Sequence, residues 1–141
     1  DIAKEMSDQE LLLFAKTHHL DIDPVELAKP TLLHGKVGAI IVGEKYNFTK
    51  EMQDAICFHT TGRKDMTMLD KIIYVADKIE DNRQKVPDEL KELATQNIDV
   101  VLKYFYTTAM EKAIRKDSLL HPLTVEARNS LIIGQLRKEK E

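Results

Sequence analysis

Helix-start signals recur along this chain, and they constrain its fold more than any other feature. Ser7 and Glu10 form a capping-box pattern, in which each side chain can bond the backbone amide of the other residue. Asp23 followed by Pro24 is a second start, and Thr49 is placed to begin another helix. After these starts apolar residues recur every three or four positions, and no segment alternates as strands do. The sequence therefore predicts an all-α fold.

The same signals predict where the helices lie. Gly62 is expected to end the helix that starts at Thr49, and Pro87 to open a short helix. The predicted segments are 7–19, 23–30, 31–46, 49–62, 67–79, a short helix from Pro87, 98–116 and 124–137. The positions of the long helix expected to face inward are Val101, Leu102, Phe105, Ala109 and Ala113.

Length and composition limit the class of protein. A chain of 141 residues has room for one domain, which we expect to span residues 1–141. The net charge of −3 gives no general signal for binding a nucleic acid or an acidic membrane, and the longest apolar run, residues 39–42, is far too short to span a bilayer. Cys57 is the single cysteine, so no intrachain disulfide can form, and the cytoplasm is the expected compartment.

Asp77 lies in the most apolar helical stretch of the chain. An ionised carboxylate on a core-facing position is costly unless a metal or a cation pairs with it. His34 and His59 occupy similar positions on two other apolar segments. Each of the three residues has a simpler explanation. Asp77 could form a buried salt bridge with Lys71 or Arg83. Each histidine could be a core residue with one hydrogen bond. Together they favour a metal centre in a helical bundle, and mixed imidazole and carboxylate ligands suit iron, manganese or zinc.

The segment after His59 is rich in groups that bind phosphate. Thr60 and Thr61 offer hydroxyls, Gly62 lets the backbone approach a ligand, and Arg63 can grip phosphate oxygens with two N–H groups. The alternative is a helix C-terminus whose basic residues complement the helix dipole, but this gives no reason for the two threonines.

Two more segments carry candidate binding residues. Arg83 follows Asp77 by six residues, where it can face the same pocket, or it can be a solvated surface arginine. The polar run 121–129 places His121 and Arg128 ahead of an apolar helix, either against a nucleotide or as a helix start capped by Thr124 with surface charges after it.

These motifs resemble the YqeK branch of the HD-domain phosphohydrolases, whose members are bacterial symmetrical bis(5′-nucleosyl)-tetraphosphatases. The resemblance covers most of the chain and is carried by His34–Gly35, the His59–Arg63 loop, Leu69–Asp77, Ile79–Glu80 with Arg83, and His121–Asn129. It implies an all-helical HD fold, a metal pair, most simply iron, and hydrolysis of diadenosine tetraphosphate to two ADP. It also suggests a homodimer.

The resemblance assigns metal ligands. His34, His59 and Asp77 match the ligand pattern, and Asp1 matches the aspartate of the His-Asp dyad that names the superfamily. Asp1 and Asp77 are also the expected catalytic residues, because an aspartate oxygen can orient the attacking nucleophile. The histidine of the dyad and a further ligand histidine would precede Asp1, so we expect the N-terminal helices of the domain to lie upstream of this sequence.

The remaining candidates are assigned to the substrate. Arg63 and Arg83 are expected to stabilise phosphate charge, and the hydroxyls of Thr60 and Thr61 to donate hydrogen bonds to phosphate. His121 and Arg128 complete the expected substrate-binding set.

Two alternatives stay open. One is an HD phosphohydrolase that acts on a nucleoside monophosphate, a nucleoside triphosphate or a cyclic nucleotide with the same metal chemistry. The other is a nucleotide-binding module on an HD scaffold that carries out no reaction. Product analysis separates the first alternative, and nucleotide binding without hydrolysis identifies the second.

Overall fold

The computed structural model describes residues 1–80 and 86–141, and the regular structure in this part of the chain is helical throughout. The predicted all-α class is thereby confirmed. The chain divides into two compact units, Asp1–Thr60 and Thr61–Glu141, which are described separately below. That residues 1–141 form one domain stays a prediction.

The first unit has four α-helices and one 3-10 helix. The capping box of Ser7 and Glu10 is present, and Asp23 and Thr49 also accept a hydrogen bond from the first turn that follows them. These caps explain why the helices begin where the sequence predicts. The elements are α1 (Asp8–Thr17), α2 (Pro24–Ala28), the 3-10 helix Pro30–Leu33, α3 (His34–Tyr46) and α4 (Lys50–Cys57).

The core of the first unit lies where α1 packs against the 3-10 helix and α3. Its buried side chains are Ala3, Leu11, Ala15, Leu33 and Val37. An ion pair beside this core joins α3 to α2, because the Lys36 ammonium lies 2.8 Å from the buried carboxylate of Glu26. Helices α3 and α4 pack side by side as a hairpin, and this fixes the end of α4 relative to the start of α3.

The second unit contains α5 (Met68–Glu80), α6 (Asp88–Gln96), α7 (Ile98–Arg115) and α8 (Pro122–Lys138). Helix α7 packs against the other three. The centre of the core is a pair of tyrosines, Tyr74 and Tyr106, whose ring centroids are 4.9 Å apart. Burial raises the pKa of both phenols. The other buried core residues are Val75, Val101, Leu102 and Ala127.

Several predicted boundaries were wrong. Helix α4 ends at Cys57, so Gly62 lies five residues beyond the helix end. Helix α8 begins at Pro122, two residues before the predicted start at Thr124. Its N-cap is His121, whose Nδ1 accepts a hydrogen bond from the Leu123 amide. Ala109 is exposed because the α7 side chains of the described core lie before it, between Ile98 and Tyr106. None of the helices in residues 1–80 and 86–141 has the length and apolar content needed to cross a membrane.

Residues 61–67 precede α5 and are bonded at several points to other residues of the second unit. The Thr61 carbonyl accepts a hydrogen bond from the Thr124 hydroxyl at 2.8 Å, and the Tyr106 hydroxyl contacts the sulfur of Met66 at 2.9 Å. The Asp65 amide donates to the Ser130 hydroxyl at 3.1 Å. We call residues 61–67 the clamped loop, because these contacts join it to both α7 and α8.

Gly62 gives the first prediction. Its φ of +72° is in the left-handed region, and an added Cβ would lie 2.8 Å from two ring carbons of Tyr106. Gly62→Ala should lower the free energy of unfolding by about 2 kcal/mol or more, since left-handed backbone alone costs an alanine roughly 1–2 kcal/mol. Urea unfolding followed by circular dichroism measures the change.

Gly134→Ala is the matched control. Gly134 lies within α8, and an added Cβ would meet nothing within 4 Å. Alanine there should stabilise the protein by about 0.5–1 kcal/mol through helix propensity. If Gly62→Ala is as stable as Gly134→Ala, the packing of Gly62 against Tyr106 does not matter to the fold.

Candidate metal centre

Three potential metal ligands meet in the first unit. They are Asp1, His34 and His59, and each offers a ligand atom that lies within 4.8 Å of the other two. His34 is the first residue of α3, and His59 follows the end of α4 by two residues. His59 is buried, and the side chains of His34 and Asp1 are about four-fifths buried, at 19% and 20% exposure.

The three ligand atoms form a nearly equilateral triangle. The Nε2 atoms of His34 and His59 are 3.1 Å apart. Oδ2 of Asp1 lies 3.1 Å from Nε2 of His34 and 3.2 Å from Nε2 of His59. With ligand bonds of ~2.1 Å, two ligands of one metal are about 3.0 Å apart at a right angle and about 3.4 Å apart at the tetrahedral angle. The observed separations lie between these values.

The backbone fixes the tautomer of both histidines. Nδ1 of His34 lies 2.5 Å from the carbonyl oxygen of Thr31, and Nδ1 of His59 lies 2.6 Å from that of Ile56. A carbonyl can only accept, so each Nδ1 carries the proton. In a neutral imidazole the lone pair is then on Nε2, the atom that points into the triangle. This is the arrangement by which proteins orient histidine ligands.

The triangle fits a divalent metal. Two nitrogen lone pairs and a carboxylate oxygen at 3.1–3.2 Å repel one another unless a cation lies among them. A proton on one imidazole removes the repulsion between that ring nitrogen and one neighbouring ligand atom. A metal ion binds all three ligand atoms at once. We conclude that Asp1, His34 and His59 can hold a divalent metal.

A glycine allows the two histidines to meet. An added Cβ on Gly35 would lie 2.6 Å from the carbonyl oxygen of Cys57 and 3.2 Å from that of Ile56. The Ile56 carbonyl is the group that orients His59. Only glycine therefore lets the start of α3 come this close to the end of α4. The pattern of the sequence gave no reason to single out Gly35 beyond its place beside His34.

Thr60 lies beside the same triangle. Its hydroxyl oxygen is 3.1 Å from Nε2 of His34 and 3.4 Å from Nε2 of His59. Cys57, in contrast, does not join the group of ligands. Burial raises the pKa of its thiol to about 11, so the thiol is protonated at neutral pH and is a poor ligand.

The expected burial of Asp77 was wrong. Its side chain is 43% exposed and lies 3.4 Å from the ammonium of Lys78, and Lys71 pairs with Asp99 instead. Helical spacing places Asp70, Tyr74 and Asp77 on one stripe of α5, but the core covers only the first two. Asp77 belongs to the second unit, and its role as a metal ligand stays a prediction.

The buried carboxylate of α5 is Asp70, which lies in the first turn of the helix. Arg63 contacts it through Nε at 2.9 Å and through Nη2 at 2.7 Å. Thr61 is also buried, and its hydroxyl donates to the carbonyl of Gly62 at 3.0 Å. Both residues therefore have structural contacts in addition to any role in binding substrate.

The candidates near the C-terminus are placed on α8. His121 is its buried N-cap, and Nε of Arg128 donates to the hydroxyl of Thr107 on α7 at 2.9 Å. Arg83 lies outside the described residues. The substrate-binding roles of Arg63, Thr61, His121 and Arg128 stay predictions.

Comparison with known proteins finds curated relatives that carry the same name. The chain is 37% identical over 107 residues to the symmetrical bis(5′-nucleosyl)-tetraphosphatase of Bacillus subtilis, covering 74% of this chain and 58% of that protein. It is 33% identical over 106 residues to the protein of the same name from Halalkalibacterium halodurans, covering 74% and 57%. The chain thus spans slightly more than half of the length of these curated relatives. No protein-family model matches it.

A solved structure is similar over nearly the whole chain. It is the crystal structure of a predicted HD superfamily hydrolase involved in NAD metabolism from Clostridium acetobutylicum. The TM-score is 0.87 at 34% sequence identity, and the match covers 94% of this chain and 71% of that one.

Gly35 gives the second prediction. Gly35→Ala should push the Ile56 and Cys57 carbonyls away and displace His59, because these carbonyls are backbone atoms that cannot rotate aside. Changes to groups that orient metal ligands commonly cost ~10–100-fold in metal affinity, and a loss of this size is expected. Competition with a chromophoric chelator, using Mn²⁺ or Zn²⁺, measures the affinity.

Gly38→Ala, one helical turn later, is the control. Its nearest neighbour would be the Ile56 side chain at 3.7 Å, an ordinary contact, so the metal affinity should not change. Equal affinities of the two variants would show that the close approach at Gly35 does not set the ligand geometry.

Proposed function

Because this chain belongs to the HD superfamily of hydrolases, we propose that it is a metal-dependent phosphohydrolase that cleaves diadenosine tetraphosphate symmetrically into two ADP. The observation that carries the proposal is the convergence of Asp1, His34 and His59 on one point. The names of the two curated relatives, symmetrical bis(5′-nucleosyl)-tetraphosphatases, support the proposed substrate.

The reaction consumes one water. Its oxygen bonds to one of the two inner phosphorus atoms, and the bond from that phosphorus to the central bridging oxygen breaks. The bridging oxygen leaves with the other half of the molecule, so that each product is an ADP. The chain must therefore hold several phosphate charges close to a nucleophile, which is mainly a task of positioning and electrostatic stabilisation.

Asp1, His34 and His59 would hold the metal, and Asp77 is proposed as a further ligand. Metal ions bound there supply Lewis acidity on phosphate oxygens and lower the pKa of a water to near neutrality. We propose that a pair of metal ions binds there and that the metal is iron. Mixed imidazole and carboxylate ligands suit iron, and they also suit manganese and zinc. Asp1 and Asp77 also serve to orient the attacking water.

The remaining residues act on the substrate. The Thr60 hydroxyl lies beside both ligand imidazoles, which supports its proposed role as a donor to a phosphate oxygen. The Arg63 guanidinium, held by Asp70, stabilises developing phosphate charge, and Arg83 is proposed for the same task. Thr61 is proposed as another phosphate donor.

His121 and Arg128 are proposed to contact the nucleotide. The hydrogen bond of Arg128 to Thr107 holds its side chain along α7 and α8, which favours a fixed binding role over a solvated one. A cytoplasmic location and a homodimer complete the proposal. They rest on the single cysteine and on the family resemblance respectively.

The third prediction concerns the substrate. The metal-loaded protein should convert diadenosine tetraphosphate to ADP as the only nucleotide product, and His59→Ala should be inactive because it loses metal. Anion-exchange chromatography of the products and elemental analysis of both proteins measure this. His18→Ala is the control, since His18 stacks on Phe14 and bonds the Phe14 carbonyl, and it should keep both metal and activity.

The same experiment tests the other functions. The panel should include nucleoside mono- and triphosphates, cyclic nucleotides and a dinucleotide pyrophosphate such as NAD, because the solved relative is described as involved in NAD metabolism. Faster turnover of any of these than of diadenosine tetraphosphate refutes the substrate. Nucleotide binding with no product from any of them identifies a binding module.

Arg63 gives the fourth prediction. Arg63→Ala should lower kcat by ~10²–10³, the usual loss when one well-placed charge-stabilising group is removed. Lys64→Ala is the control, because Lys64 is the next residue and is exposed, and its kcat should stay at the wild-type value. Steady-state kinetics of both variants decide the point, and equal kcat values would remove Arg63 from the mechanism.

A further inference from the structure

Two carboxylates are fully buried among the described residues, Glu26 in the first unit and Asp70 in the second. Asp70 lies in the first turn of α5, and it caps the helix reciprocally with Thr67. The Thr67 amide donates to Oδ2 of Asp70 at 3.1 Å, and the Asp70 amide donates to the Thr67 hydroxyl at 3.1 Å. A helix cap on the surface could do the same, so capping does not explain why this carboxylate is buried.

The hydrogen bonds of Asp70 are unevenly divided between its two oxygens. Nε and Nη2 of Arg63 and the amide of Thr67 all donate to Oδ2. Oδ1 is buried and has no hydrogen-bond partner among the described residues. A fork-to-fork pair of arginine and carboxylate would use both oxygens. Here the two N–H groups of Arg63 converge on a single atom.

This geometry is poor for stability. A buried acceptor without a partner costs ~1–3 kcal/mol, and buried ion pairs are often no better than apolar side chains of similar volume. What the arrangement does achieve is a fixed guanidinium. Arg63 is bonded by a buried carboxylate and lies in the clamped loop, in which Thr61 is bonded by Thr124 and Met66 by Tyr106.

The carboxylate also changes the charge that a ligand meets. An arginine paired with a buried aspartate has little net charge, so it attracts a polyphosphate weakly at long range but can still donate directed hydrogen bonds at short range. Loose binding of the ground state with well-placed donors for the transition state favours turnover over affinity.

We propose that Asp70 is a positioning residue that aims the Arg63 guanidinium at the phosphate chain and offsets its charge. The proposal rests on the proposed function for the identity of the ligand. It assigns Asp70 no contact with substrate, since all of its effect passes through Arg63.

The test is Asp70→Asn in the metal-loaded protein, which keeps the shape and an acceptor but removes the charge. We expect kcat for diadenosine tetraphosphate to fall by ~10–10², because a misplacement of about 1 Å can cost that much. We expect KM to fall or stay unchanged, because the Arg63 charge is no longer offset. Metal content should not change. Asp99→Asn, which breaks the pair between Lys71 of α5 and Asp99 of α7, is the control and should retain wild-type kcat.

A double variant tests whether Asp70 acts through Arg63. In the Arg63→Ala background, Asp70→Asn should cause no further loss of kcat, whereas independent roles give losses that multiply. Multiplying losses, a kcat loss in Asp99→Asn equal to that in Asp70→Asn, or a higher KM in Asp70→Asn would overturn the proposal.

Arg63→Lys covers the case in which Asp70→Asn does not fold. Lysine keeps the charge but loses the fork of donors, so its kcat should be as low as that of Arg63→Ala. Wild-type kcat in Arg63→Lys would show that charge alone matters and would refute positioning.

Failure of the proposed function can be recognised separately. If wild-type protein does not hydrolyse diadenosine tetraphosphate, calorimetric titration with ADP replaces kinetics. Asp70→Asn should then bind ADP on the order of five- to tenfold more tightly than wild type, and the gain should vanish in the Arg63→Ala background. Unchanged ADP affinity in Asp70→Asn would overturn the role of Asp70 whatever the substrate is.

Discussion

The close approach of α3 to the end of α4 at Gly35 is the contact on which the candidate metal centre depends. The carbonyls of Ile56 and Cys57 occupy the space where any other residue would place its Cβ. The same approach brings Nε2 of His34 to 3.1 Å from Nε2 of His59. Nδ1 of each ring bonds a carbonyl of the preceding turn. Neither ring can therefore turn its Nε2 atom away from the other ring without losing that hydrogen bond. The backbone thus holds two ring nitrogens at a separation that suits two ligands of one metal ion.

The sequence predicted the helices well because their signals are local. A capping box such as that of Ser7 and Glu10 is complete within four residues, and the structure has it. The histidines were also identifiable as candidates. Asp1, however, entered only through the resemblance to a family, since an aspartate at the first position of a sequence carries no periodicity. The packing role of Gly35 was not predicted, because it depends on a contact with residues more than twenty positions away, which spacing along a helix does not encode.

Asp77 and Asp70 also show that helical spacing does not encode contacts with residues that are distant in the sequence. They are seven residues apart on one stripe of α5, so the helical pattern cannot tell which of them is buried. Burial is decided by what packs against each turn of the helix. In the second unit the core around Tyr74 and Tyr106 covers Asp70 and leaves Asp77 exposed. Asp70 also needed a partner, and Arg63 supplies it from the clamped loop. A buried acid is therefore informative only once its counter-ion is known.

The motif from His59 to Lys64 is divided between the two units, after Thr60. His59 and Thr60 lie with the metal ligands, and Arg63 lies with Asp70. Within the second unit, Arg63 is held at two levels. Its backbone lies in the clamped loop, which is bonded at Thr61 and Met66. Its guanidinium is bonded by the buried carboxylate of Asp70. Because backbone and side chain are both held by one unit, the orientation of this arginine is set by the fold before any ligand binds, which is the condition for a well-placed donor.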